Sequence, residues 1–202
     1  MDMSDWLPFY LPFFDKQAEA EDFVERCEGQ VLPNNTAKIM MHQTKRLVSI
    51  SDQMQQIQED YPLLRLLFLL ICAENIAKLA EQFDKDGKSR EFVQKFFRLY
   101  SIPKEQQRLG RSFEDDVECP VGLEVAVDIL YAVRCDIVHG GRYWGFSFSD
   151  GKRRMWNDDP RSDELLKKNK KKKCDAIVVT LTFEELREII VRSCIRAIQG
   201  KL

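Results

Sequence analysis

The sequence predicts a mainly α fold: an up-and-down helical bundle with a small antiparallel β insertion between its last two long helices. Three observations predict it. Met40, Leu47, Ile50, Met54, Ile57 and Tyr61 recur at steps of seven, three, four, three and four, the spacing of a helix packed lengthwise on another. The next stretch, 63–83, is apolar on all sides in its first half, as suits a helix at the centre of a bundle. Across 142–181 the helical period is lost, and it returns only in a closing amphipathic helix.

In chain order, 5–14 is aromatic and twice interrupted by proline, which predicts an extended arm or a single turn lying on the core. Residues 15–27 form a short acidic amphipathic helix, and 29–35, with Pro33, Asn34 and Asn35, a loop. Residues 1–35 are thus an arm and short helix packed on one domain, 36–202. Thr36 can cap the first long helix, and His42 falls off its apolar seam, hence on the surface. Pro62 stands at the first position of the second, where its missing N–H costs nothing. Beyond Cys72 that helix turns Glu74, Asn75, Lys78, Glu81 and Gln82 outward. A turn at 84–89 leads to a helix over 90–100, and 101–120 reads as polar and irregular. Residues 121–139 form a long apolar helix that stops at Gly140 and Gly141, because the backbone there needs a conformation side chains oppose. The insertion, 142–181, opens with a hairpin: 142–148 and 152–156 flank the turn Ser149, Asp150, Gly151. Residues 157–173 lack periodicity and hold the run KKNKKKK, and 176–181 is a β-branched strand. Thr182 and Glu185 make a capping box that opens the last helix.

Composition narrows the function classes. The 202 residues suffice for one good-sized core. A net charge of −2 offers no global attraction for nucleic acid, but 141–174 carries 11 Lys and Arg against 5 Asp and Glu, +6, leaving −8 elsewhere. Six cysteines without a CxxC pair suit reduced thiols in a cytoplasmic protein. The acidic first residues lack the basic start of a signal peptide, and the most apolar run, 63–73, is shorter than the roughly 20 residues that span a bilayer. A soluble protein without membrane contact is expected. No GxSxG, glycine-rich phosphate loop, HExxH or metal-spaced Cys/His set occurs, and with two histidines a zinc enzyme is a poor fit. No cofactor or metal is expected.

Chemistry concentrates at the end of the 121–139 helix, where Arg134 and His139 stand in an apolar segment. A histidine in a last helical turn lies at the negative end of the dipole, which favours its protonated form. Residues five apart on an ideal helix point about 140° apart, so only a loosened last turn or a second molecule brings both to one substrate. The bland reading is an arginine paired with a core carboxylate (Glu74, Glu81 or Asp128) and a histidine capping its own helix.

The text YAVRCDIVHGG resembles the ribonuclease motif of the HEPN superfamily, an arginine, a short spacer and a histidine at the end of a bundle helix. The resemblance covers mainly 123–141 and, loosely, the bundle from 36 to 100 and the closing helix. It implies a HEPN-like homodimer in which two such helix ends meet at a cleft, cutting RNA without a metal. The substrate's 2′-hydroxyl would attack, His139 would move protons, Arg134 would stabilise charge on the phosphate, and Asp136 would orient one of them. The products would be a 2′,3′-cyclic phosphate and a 5′-hydroxyl. A toxin or defence component, held in check by an antitoxin or regulatory protein, is the implied setting. Cys135 departs from the polar residue that members often carry directly after the arginine. The alternative is therefore a catalytically inactive dimerisation, adaptor or RNA-binding module. Arg142, Tyr143, Trp144, Lys152, Arg153 and Arg154, with Trp156, resemble a surface that stacks bases and neutralises phosphates. Equally, the aromatics could cover the bundle end while the charges stay solvated.

Overall fold

A computed structural model describes residues 5–57, 62–115, 118–140, 146–152, 155–158 and 176–202. Its frame is the pair α3 (Thr36–Ile57) and α4 (Pro62–Ala80). α4 has buried residues on every side, including Leu63, Leu66, Leu69, Leu70, Ile76 and Ala77. It packs against α3, α5 (Ser89–Tyr100), α7 (Leu123–Cys135) and α8 (Phe183–Gln199). A continuous apolar stretch becomes the central helix because each of its faces meets a neighbour.

α3 departs from the strict seven-residue seam. Met40 and Leu47 are buried, but the core stripe continues through Thr44, Val48 and Ser51, while Ile50 and Met54 are half-buried and Ile57 is 74% exposed. A straight helix drifts about 20° per seven residues against such a repeat, so the stripe that tracks the core follows the 3.6-residue period instead. The start of α3 is also capped differently from expectation. Gln30 Oε1, from the preceding loop, accepts from the backbone N–H groups of Ala37 (2.9 Å) and Lys38 (3.3 Å), and Thr36 is already helical. His42, expected on the surface, is half-buried against Trp6, because the arm folds back along α3.

The arm forms α1 (Leu7–Tyr10) and a 3₁₀ turn, Leu11–Phe13, then α2 (Gln17–Glu28). Tyr10, fully buried, donates to the Met41 carbonyl at 2.6 Å and so pins the arm to α3. Burial holds its phenol well above the usual range.

The largest departure lies at 101–120, expected to be irregular. It contains α6 (Pro103–Arg111), with proline at its first position, and β1 (Phe113–Glu114). α6 packs on α7 through glycine: a Cβ on Gly110 would stand 2.7 Å from the Leu123 nitrogen and 2.9 Å from the Gly122 carbonyl carbon. Gly122, at φ 83°, turns the chain into α7 and donates to the Gly110 carbonyl at 3.1 Å.

β1, β2 (Met155–Asp158) and β3 (Ala176–Val179) form an antiparallel sheet in the order β1-β3-β2, with Phe113 and Met155 both opposite Val179. The expected hairpin partner of 152–156 was 142–148. The described part of it, 146–148, is not strand, and β2 pairs with β3, the strand that the sequence allowed to add to that hairpin. β3 is the central strand and all four of its residues are buried, which suits Ala-Ile-Val-Val. Phe146 and Phe148 bridge the sheet to α8, at 6.2 Å from Phe113 and 5.6 Å from Phe183 between ring centroids. α8 carries the predicted box: Thr182 Oγ1 accepts from the Glu185 N–H and the Glu185 carboxylate accepts from the Thr182 N–H. Burial opposes ionisation of Glu185, but these bonds and Arg108 outweigh it and hold the carboxyl below its ordinary range. The whole is a mainly α bundle with a small β insertion. No helix among the described residues is long and apolar enough to cross a membrane.

Candidate functional site

α7 buries Val125, Ala126, Val127, Ile129, Leu130 and Val133 and carries Arg134 in its last turn. From Asp136 to Gly140 the helix widens into a π turn. A π turn rotates the chain less per residue than an α turn, which narrows the angle between Arg134 and His139 below the roughly 140° of a regular helix. The π turn includes Gly140, and the second glycine of the expected stop, Gly141, lies outside the described residues. Ile137 anchors the turn in the core, whereas Val138 (47% exposed) and His139 face out.

Arg134 has a side chain only 17% exposed, and its Nη2 lies 3.8 Å from Glu74 Oε2. Of the three carboxylates open to it, Asp128 instead accepts from Arg90 and Gln94, and Glu81 from Lys95. Glu74, expected to face outward, is instead buried, because the packing of α5 and α7 on α4 covers it. Its Oε1 accepts from the Ser89 hydroxyl and the Lys78 ammonium, each at 2.7 Å. The Arg134 guanidinium lies 5.5 Å from the Tyr131 ring centroid, one turn earlier on α7. Burial raises the Tyr131 phenol above its ordinary value, and the neighbouring Cys135 thiol adds to that. The arginine is therefore held by a carboxylate on one side and a ring on another, which fixes its planar fork. The formal charges of Lys78, Glu74, Arg134 and Asp136 cancel, so a proton on His139 makes the set net positive.

Asp136 is half-buried at the start of the π turn, and Cys135 is half-buried beside Arg134. Thus α7 and its π turn carry Arg134, Asp136 and His139 together, and α4 adds Glu74 and Lys78. Lys78 was legible as the i+4 partner of Glu74; Ser89 had no signal in the sequence, because only the packing of α5 on α4 brings it near. Of the basic, aromatic set, Lys152 is exposed on the turn after Ser149, where its N–H donates to Asp150 Oδ1 at 2.8 Å. Arg142, Tyr143, Trp144, Arg153 and Arg154 lie outside the described residues, as does the lysine run 167–173; of Trp156 only the backbone, in β2, is described. Buried Cys72 and Cys194 lie 3.8 Å apart between sulfurs. Among the described residues no three His, Cys, Asp or Glu side chains gather as metal ligands.

No protein-family model, curated protein or solved structure matches the chain.

Proposed function

We propose that the protein is a homodimeric endoribonuclease of the HEPN kind that cuts RNA without a metal. The observation that carries this reading is the π turn. Its wider winding narrows the angle between Arg134 and His139, with the imidazole exposed and the guanidinium beside Glu74, which supports the reading. In the proposed reaction His139 accepts the proton of a 2′-hydroxyl, whose oxygen attacks the adjacent phosphorus. The bond to the 5′-oxygen breaks, that oxygen takes the proton back from the His139 imidazolium, and a 2′,3′-cyclic phosphate and a 5′-hydroxyl remain. Arg134 offers donors to the phosphoryl oxygens as charge builds there. Asp136, at the head of the π turn, is the group that would orient the imidazole.

A second copy is supported by the surface leading to the site. Leu67 and Ile71 precede Glu74 by seven and three residues on α4, so they share its face, and both are half-buried rather than covered. With exposed Val138 they offer an apolar approach to Arg134 on which a symmetric partner can dock. A toxin or defence role with an inhibitory partner protein extends this reading.

The rival reading, a dimerisation or RNA-binding module without catalysis, is favoured by the ion pair of Arg134 and by Cys135 beside it. One experiment separates the two. Purified protein is incubated with RNA in excess chelator, and the wild type is compared with His139→Ala and Arg134→Ala. Cleavage by the wild type alone, about 10²-fold or more above either variant, is expected. Equal inertness of all three would return the chain to the binding-module reading.

A further inference from the structure

A second feature lies on α3, away from the elements that carry Arg134 and His139. Trp6 of the arm lies flat on His42, with ring centroids 4.1 Å apart and planes 6° from parallel. The imidazole is held in that plane by the Glu28 carboxylate, which also takes Lys38 at 3.0 Å. Burial of Glu28 opposes its ionisation, but those two partners outweigh it and hold the carboxyl below its ordinary value. Lys45 Nζ stands 4.4 Å from the Trp6 ring centroid and donates to the Asp5 carbonyl. From this flat aromatic end a groove of about 650 Å³ follows α3 past Gln43, Arg46, Ser49 and Gln53.

The charge of the groove is one-sided. Among the described residues its lining includes Lys45, Arg46 and His42 and no carboxylate, since Glu28 sits behind the imidazole and outside the lining. Several basic side chains elsewhere on the bundle are taken up in ion pairs, Arg90 by Asp128, Arg108 by Glu185, Arg187 by Asp52 and Arg196 by Glu105, while Arg98, Lys104 and Arg111 make none among the described residues. Arg46 is exposed and makes no ion pair or side-chain hydrogen bond among the described residues. Two adjacent cations with amides on either side of them along a groove, and a planar aromatic end, are a combination that holds a single-stranded polyanion without reading its sequence. An acidic amphipathic helix would need a continuous apolar floor, and here Ile39 and Ile50 are the aliphatic lining residues.

We propose that this groove binds a segment of single-stranded nucleic acid, its phosphates at Lys45 and Arg46 and its bases toward the Trp6–His42 end. That the strand is RNA rests on the ribonuclease reading; the groove itself does not. The test is fluorescence anisotropy with a labelled 2′-O-methyl RNA of about 15 nucleotides, which cannot be cut because its 2′-oxygens are capped. Affinity is measured against salt for the wild type, Arg46→Glu and, as an equal charge change on α6, Lys104→Glu. Circular dichroism melting checks that each variant folds. Arg46→Glu is expected to weaken binding by about tenfold or more and to lower the salt slope by about one, with Lys104→Glu at the wild-type value. Binding unmoved by Arg46→Glu, or weakened equally by Lys104→Glu, overturns the proposal. So does tight binding of polyglutamate with none of the oligonucleotide. Chelator-resistant cleavage with no Arg46 dependence of binding would keep the ribonuclease and remove the groove. Arg46-dependent binding with no cleavage would do the reverse.

Discussion

Glu74 sits among three donors of different kinds: the Lys78 ammonium, the Ser89 hydroxyl and the Arg134 guanidinium. A buried carboxylate is tolerable only with such partners, and each partner is positioned by it in return. Glu74→Gln keeps the shape and an acceptor oxygen but removes the charge that faces Arg134. If Arg134 works on a phosphodiester, loss of its brace misplaces the guanidinium, and cleavage is expected to fall by about 10²-fold. The melting temperature should fall too, because Lys78 and Arg134 lose the carboxylate they face, so cleavage is compared at a temperature where both proteins are folded. A variant that melts well below the wild type, with no cleavage to lose in either, would make the cluster a structural ion pair and nothing more. Cys135 is the other residue to watch at this scale. It is half-buried next to Arg134, where it neighbours the Tyr131 phenol and not an obvious polar aid to catalysis.

At the scale of elements, the site depends on where α7 begins as much as on how it ends. α6 and α7 approach so closely at Gly110 that any side chain there meets backbone, and backbone cannot turn aside as a flexible side chain would. Gly110→Ala is expected to cost about 1–3 kcal/mol, measured as a lower midpoint in urea denaturation with an unchanged slope. An unaltered midpoint would mean that the two helices separate without penalty, and the close crossing would lose its meaning. At the other end, the π turn is the element whose geometry the proposed chemistry requires. The same residues in a regular α turn would send the imidazole and the guanidinium to different faces.

For the whole molecule, the question is what a second copy would cover. The face of α4 that runs from Leu67 through Ile71 to Glu74 ends at the candidate site, so association there would close it from one side. Ile71→Asp places a charge at the centre of that face. It is expected to give a monomer by sedimentation and to lose most of the cleavage of the wild type, while the fold is retained because Ile71 is only half-buried. A dimer of unchanged affinity would remove this face from the proposal. The basic α3 groove makes an independent demand, since its cations act on a strand whether or not the site is competent.

Much of the architecture was legible along the chain, because period and punctuation are local properties. The all-round apolar run of α4, the proline at its start and the capping box of α8 each state their structure within a few residues. The pair Arg134 and His139 was legible in the same way, as residue types at a spacing. What the chain could not state was anything that depends on a distant partner. α6 and β1 looked irregular because their stability comes from packing on α7 and pairing with β3. Gln30 caps α3 and His42 stacks on Trp6 because the arm folds back, and Ser89 reaches Glu74 because α5 lies across α4. The choice of Glu74 among three carboxylates was likewise decided by tertiary packing. Spacing along a helix sets which face a side chain leaves from, but only the neighbouring helices decide which charge it meets there.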